Sequence, residues 1–142
     1  MTRDPKTCRA SDPMSRAAQI MWEADCGCVP VVDDSGKPVA MITDRDISMA
    51  AYTRGEPLCS MNVGSAASAP VVTVGEGEEV ATVEQIMRER RVRRLPVVDP
   101  TGHVVGIISM NDLARHAQEG PHRRGLSAEG VVKTLAAVCA PR

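Results

Sequence analysis

The chain has 142 residues but almost no aromatic side chains: Trp22, Tyr52 and no phenylalanine. Stacking-based recognition of single-stranded nucleic acid or flipped bases needs several rings on one platform, and two isolated rings do not build one. An excess of one charge is also missing. Seventeen basic and eighteen acidic side chains leave a formal net charge of −1, so no global basic field attracts polyanions and any anion site must be local. No stretch approaches the roughly 18 apolar residues of a membrane span, and Met1-Thr2-Arg3-Asp4-Pro5 has no apolar run behind it to act as a signal peptide. A cytoplasmic chain without a membrane partner is expected. Cys8, Cys26, Cys28, Cys59 and Cys139 are odd in number and scattered, unlike the disulfide framework of a small secreted domain. Cys26-Gly27-Cys28 is the one close pair. With no second pair and no nearby histidine it falls short of a four-ligand zinc site, so no metal is expected.

What is present is an ordinary globular composition, 43% hydrophobic and 25% charged, enough for one compact domain or two very small units sharing a core. The chain is organised by an internal repeat. Val29-Pro30-Val31-Val32-Asp33 is answered by Leu95-Pro96-Val97-Val98-Asp99, an offset of 96 − 30 = 66. The same offset pairs Gln19-Ile20-Met21 with Gln85-Ile86-Met87, Glu23 with Glu89, Gly36 with Gly102, Val39 with Val105, Ile42 with Ile108 and Asp46 with Asp112. Thr7 pairs with Thr73 upstream.

Each copy reads as a short strand, a helix, a β-hairpin and a second helix. In the second copy Val71-Val72-Thr73-Val74 is β-branched and bounded by Pro70 and Gly75, which predicts the first strand. Glu78-Glu79 opens a helix carrying Val80, Val83, Ile86 and Met87 at helical spacing. Leu95–Asp99 and His103–Ser109 are strands around the turn Pro100-Thr101-Gly102, and a helix follows from near Asn111 to Gly120-Pro121. The first copy repeats the plan with a shorter first strand, Lys6-Thr7-Cys8, a helix with Ala17, Ile20 and Met21 on one face, the turn Asp34-Ser35-Gly36, and a last helix stopping at Gly55. The repeats are expected over 5–60 and 69–121, with a connection at 61–68. A tail helix over 126–140, capped by Ser127, would carry Val131, Leu135 and Val138 on one face. A three-stranded unit of about 60 residues is marginal alone, so the two copies are expected to bury apolar faces against each other about a pseudo-two-fold axis. The fold class is mixed α/β (α+β).

Chemistry concentrates where each hairpin hands over to its second helix, at Thr43-Asp44-Arg45-Asp46 and Ser109-Met110-Asn111-Asp112. A helix N-terminus offers unpaired N–H groups to phosphate or carboxylate, and the aspartate could accept bonds from two neighbouring ribose hydroxyls. Ser/Thr followed three residues later by an acid is equally a capping box. Spacing alone does not separate the two readings. Arg88, Arg90, Arg91, Arg93 and Arg94 form the densest basic run; the first of these suit a helix C-terminus, and Arg93 and Arg94, at the mouth of a strand, suit a phosphate.

The tandem pattern of Leu-Pro-Val-Val-Asp, a two-residue spacer, Gly, an apolar strand and Ser/Thr-x-x-Asp resembles the cystathionine-β-synthase (CBS) domain in its paired form, the Bateman module. The resemblance covers about residues 5 to 120. It implies two β-α-β-β-α units and two clefts for adenosine-containing ligands such as AMP, ADP, ATP, NAD or S-adenosylmethionine. Carried over residue by residue, one cleft would use Ser109, Asn111, Asp112 and Arg94, closed by Thr7, Cys26 and Gly27. The other would use Thr43, Arg45 and Asp46, closed by Thr73, Val92 and Arg93. The leading expectation is a stand-alone homodimeric regulatory module that senses such a ligand and acts on an effector protein. The alternative is a ligand-free homodimeric interaction scaffold of the same fold. No catalytic cofactor is expected: His103, His116 and His122 form no nucleophile–base pattern with a Ser or Cys, which disfavours an enzyme. The charge balance disfavours nucleic acid.

Overall fold

The computed structural model describes residues 1–118 and 127–140. In chain order the elements are β1 (Thr2–Arg3), β2 (Cys8–Arg9), α1 (Met14–Glu23), β3 (Cys28–Val32), β4 (Pro38–Thr43), α2 (Asp44–Arg54), a 3-10 turn at Val63–Ser65, β5 (Val74–Gly75), α3 (Val80–Arg90), β6 (Arg94–Val98), β7 (Val104–Ser109), α4 (Met110–Gln118) and α5 (Ala128–Cys139). They divide into two compact units. One comprises residues 4–71 with 101–104, the other residues 1–3, 72–100 and those from 105 on.

In the first unit β2-β3-β4 form one sheet, with β2 parallel to β3 and β3 antiparallel to β4. Its core gathers Met14, Ala17, Ile20 and Met21 from α1 with Val29, Val31, Ile42 and Ile47. The α1 stripe follows the apolar spacing of the sequence because residues three and four apart share one helix face. In the second unit the sheet order is β1-β7-β6-β5. Its core holds Val74, Val83, Met87, Leu95, Val97, Met110, Leu113 and Val131.

The repeat is preserved in backbone detail. Asp25 and Arg91, equivalent by the offset of 66, both adopt left-handed φ, 47° and 52°. In each case the next residue's N–H closes the preceding helix: Cys26 donates to Met21 O at 3.0 Å and Val92 to Met87 O at 3.1 Å. The lead-in segments correspond as well. Thr2 pairs with Ile107 on the outer edge of β7, and Ser68, 66 residues after Thr2, bridges Met41 on the outer edge of β4. Each repeat's lead-in thus covers an edge of the other repeat's hairpin, shielding backbone groups that an open edge would leave unpaired.

Three expectations need correction. The first strands are shorter and later than the sequence suggests: β2 begins at Cys8, not Lys6, and β5 at Val74, not Val71. Cys8 pairs with Val31 and Val74 with Val97 in parallel register, so Thr7 and Thr73 fall opposite Pro30 and Pro96. Proline has no N–H to extend a ladder there. The connection at 61–68 is not a bare linker, because Met61 and Val63 are buried in the first core. In α5, Val131 is buried but Leu135 is exposed; Thr134 takes the inward place. Its hydroxyl accepts from Arg88 Nη1 at 2.8 Å and donates to Gly130 O at 2.9 Å, which turns that face inward. Ser127 caps α5, accepting from Gly130 N at 3.0 Å. The expected stop at Gly120-Pro121 and His122 lie outside the described residues.

Candidate functional site

Each hairpin delivers its last strand residue to the start of a helix, and there the two units build the same turn. In the first unit, Thr43 N and Thr43 Oγ1 both donate to Asp46 Oδ2, at 2.9 and 2.7 Å, while Asp46 N donates to Thr43 Oγ1 at 3.2 Å. In the second, Ser109 N and Oγ donate to Asp112 Oδ2 at 2.9 and 2.6 Å, and Asp112 N donates to Ser109 Oγ at 3.2 Å. Both are formed capping boxes, satisfying orphan helix donors. The first N–H of each helix is also used: Asp44 N donates to Gly27 O at 3.3 Å and Met110 N to Arg93 O at 2.9 Å. These bonds tie the segment before β3 or β6 to the helix start, so Gly27 and Arg93 lie beside their own unit's turn.

Capping consumes one oxygen of each carboxylate. Among the described residues, Oδ1 of Asp46 has no hydrogen-bond partner, so it faces outward as a free acceptor. Oδ1 of Asp112 is 3.5 Å from the Met1 ammonium. The sequence gave no hint of this contact, because the chain start carries no motif; it follows from β1 pairing on β7. Burial pushes the Asp112 carboxyl up, but the Ser109 hydroxyl and amide and the Met1 ammonium outweigh that and hold it below the ordinary value. A carboxyl whose folded value lies below the roughly 3.9 of an unfolded chain stabilises fully above that pH and loses the contribution as pH falls through the folded value. Acid unfolding of wild type and Asp112→Asn should therefore differ at neutral pH and converge below about pH 4. A constant gap across that range would contradict this assignment.

The other candidate residues are placed as follows. Arg45 and Asn111 are exposed on the first turns of α2 and α4, Arg93 is exposed and Arg94, the first residue of β6, is half-buried. Thr7 is exposed and Thr73 half-buried, each just before a paired strand. Val92 is half-buried, while Cys26 is exposed and donates its Sγ–H to Cys28 O at 3.4 Å. The first unit thus carries Thr7, Cys26, Gly27, Thr43, Arg45 and Asp46. The second carries Thr73, Val92, Arg93, Arg94, Ser109, Asn111 and Asp112. Arg88, by contrast, is engaged with Thr134 and has a structural task.

Cys28 is buried, and burial, with Asp12 nearby, raises the Cys8 thiol to about 11, which keeps it protonated and unreactive. No group of three or more His, Cys, Asp or Glu side chains that could hold a metal ion occurs among the described residues. His116 Nδ1 lies 2.8 Å from Asp112 O and His103 Nδ1 2.6 Å from Thr101 Oγ1, so both rings are held by local turn and helix contacts. No helix among the described residues is long and apolar enough to cross a membrane.

Two mixed α/β units built on one repeated plan, each with a capped Ser/Thr-x-x-Asp turn, define a tandem CBS-type protein. Residues 1–52 and 63–119 match the CBS domain family, and the chain belongs to it. Hypoxic response protein 1 of Mycobacterium tuberculosis is 29% identical over 130 residues, 92% of this chain and 84% of that protein. An uncharacterised protein of Methanopyrus kandleri is 32% identical over 111 residues, 78% of this chain and 57% of its own length. The inosine-5'-monophosphate dehydrogenase of Mycobacterium bovis is 31% identical over 119 residues, but the match spans only 21% of that enzyme. Among solved structures, the CBS domain pair of protein MJ0100, in complex with 5'-methylthioadenosine and S-adenosyl-L-methionine, superposes with a TM-score of 0.74 at 28% identity, covering 84% of this chain and 92% of that one. Hypoxic response protein I, with two coordinated zinc ions, superposes with a TM-score of 0.73 at 29% identity, over 82% and 93%.

Proposed function

We propose that the chain is a cytoplasmic regulatory module that binds an adenosine-containing ligand of the AMP, ATP, NAD or S-adenosylmethionine class and relays its occupancy to an effector protein, without catalysing a reaction. The observation that carries this reading is the duplicated turn, in which capping occupies Oδ2 of Asp46 and leaves Oδ1 open at a helix N-terminus. One outward carboxylate oxygen can accept a ribose hydroxyl while the other holds the turn rigid. Asp46 and Asp112 are assigned the ribose. Thr43, Arg45, Ser109, Asn111, Arg93 and Arg94 are assigned the phosphate or carboxylate end, where guanidinium groups supply charge-assisted bonds. Thr7, Cys26, Gly27, Thr73 and Val92 are assigned the walls against base and sugar. The complex of the MJ0100 CBS pair with two adenosine derivatives supports this ligand class.

We further infer a homodimer. The exposed Val132 and Leu135 on the outer side of α5 support it, since paired aliphatic side chains in water favour burial. Saturation with AMP, ATP, NAD or S-adenosylmethionine is expected to raise the melting temperature. A ligand at 100 times its Kd stabilises by about 2.7 kcal/mol. No shift with any of the four would refute the ligand reading. The scaffold reading draws on the second unit, where Asp112 has both oxygens engaged; it would leave the melting temperature unmoved.

A further inference from the structure

In the second unit α5 packs on α3 and α4. It inserts Val131 into the core with Met87, Met110 and Leu113. On α3 it meets two polar side chains. Arg88 donates to Thr134, and the Glu84 carboxylate, 5% exposed, sits where a Cβ on Gly130 would lie 3.2 and 3.3 Å from its two oxygens. Oε1 of Glu84 has no partner among the described residues. A bare glycine in the first turn of α5 is thus what lets this helix close onto Glu84.

The repeat maps this helix seat onto the first unit. Subtracting 66 converts Glu84, Met87, Arg88, Met110 and Leu113 into Ala18, Met21, Trp22, Asp44 and Ile47. These five are among the residues lining a groove of about 310 Å³ between α1 and α2. Its floor is apolar, with Met21 and Ile47 buried, and on its wall Trp22 is 88% exposed. In the second unit the chain covers the equivalent seat with its own helix. In the first, nothing among the described residues covers it.

We propose that the α1–α2 groove of the first unit is a docking site for an amphipathic helix of a partner protein, seated as α5 is seated on α3 and α4. The substitutions between the repeats define that helix. Ala18 in place of Glu84 removes the carboxylate that restricts Gly130, so the partner carries a large aliphatic residue at that place. Trp22 in place of Arg88 calls for an aliphatic side chain where α5 presents Thr134. Asp44 in place of Met110 calls for a Lys or Arg at the rim. The same carboxylate repels phosphate, which separates this groove from a nucleotide's charged end. A buried tryptophan in a groove closed by neighbouring contacts is the usual anchor of such an interface.

Trp22 is the only tryptophan in the chain, so its emission reports occupancy directly. The probe is a hydrocarbon-stapled, fluorophore-labelled peptide of residues 127–140 with Gly130→Leu, Thr134→Leu, Glu129→Lys and Cys139→Ser, added to the full-length protein. The proposal predicts a saturable blue shift of Trp22 emission. It also predicts that Trp22→Ala weakens binding, read by peptide anisotropy, about 30-fold, and that Asp44→Lys weakens it about tenfold. An unmoved emission spectrum and unchanged anisotropy would overturn it. So would a blue shift that grows with protein concentration alone alongside a dimer in sedimentation, because a second copy would then be the occupant. The inference deepens the regulatory reading by naming the kind of effector, yet docking is measured without nucleotide. Peptide binding without any nucleotide response would sink the ligand reading alone, and a nucleotide response without peptide binding would sink this one.

Discussion

Asp46→Ala is expected to weaken binding of the adenosine-containing ligand about 10- to 100-fold, the range for loss of a hydrogen bond to a charged group. The same substitution removes the reciprocal bonds of the capping box, so it should also lower stability by about 1 kcal/mol. The two effects separate in Asp46→Asn, which keeps a side-chain oxygen to accept and restores most of the stability. Asp112→Ala should cost less affinity than Asp46→Ala, because the Met1 ammonium already competes for Oδ1 of Asp112. Calorimetric titration of the three variants measures this. Equal loss of stability in both alanine variants with unchanged affinity would show that the turns are caps and nothing more.

The largest stability effect is expected at Ile42. It is fully buried, pairs with Val29 across the β3–β4 hairpin and directly precedes the Thr43 turn. Removing a buried branched aliphatic costs the transfer of its methyl groups and leaves a cavity, so Ile42→Ala should destabilise by about 2–5 kcal/mol. Its equivalent, Ile108, is identical in type but only partly buried, and Ile108→Ala should cost roughly half as much. Urea unfolding of both variants compares them. Equal losses would mean that the two hairpins are packed alike, against the difference in burial.

These positions also show how far the sequence could be read. The 66-residue offset located both hairpins, both Ser/Thr-x-x-Asp turns and the apolar faces of α1 and α3, because those features repeat a chemical requirement at a fixed spacing. Capping versus ligand binding stayed open at that stage, and the structure answers the first half: both caps are made, and one carboxylate oxygen in each turn is left over for another task. Where a contact depends on a segment with no recognisable counterpart, the sequence was silent. Thr2 and Ser68 occupy the same place on opposite hairpins, yet the pair is too dissimilar to register as a repeat. Glu84 looked like a solvated helix residue until α5 landed on it. The apolar face of α5 was read as Val131 and Leu135, whereas the hydroxyl of Thr134, held by Arg88, displaced Leu135 to the surface. First-strand boundaries slipped because β-branched composition favours extension, but the ladder stops opposite a proline.

The shortage of aromatic residues takes on a second meaning here. With Trp22 88% and Tyr52 83% exposed, neither ring is committed to the core, and the proposed adenine site relies on aliphatic strands and backbone polar groups. The rings remain available for partners.

Native mass spectrometry of the full-length protein, with AMP, ATP, NAD and S-adenosylmethionine supplied in turn, tests the central claim most directly. The account predicts discrete added masses equal to one of these ligands, lost first from Asp46→Ala. A spectrum in which the protein carries none of them at saturating concentration would contradict it.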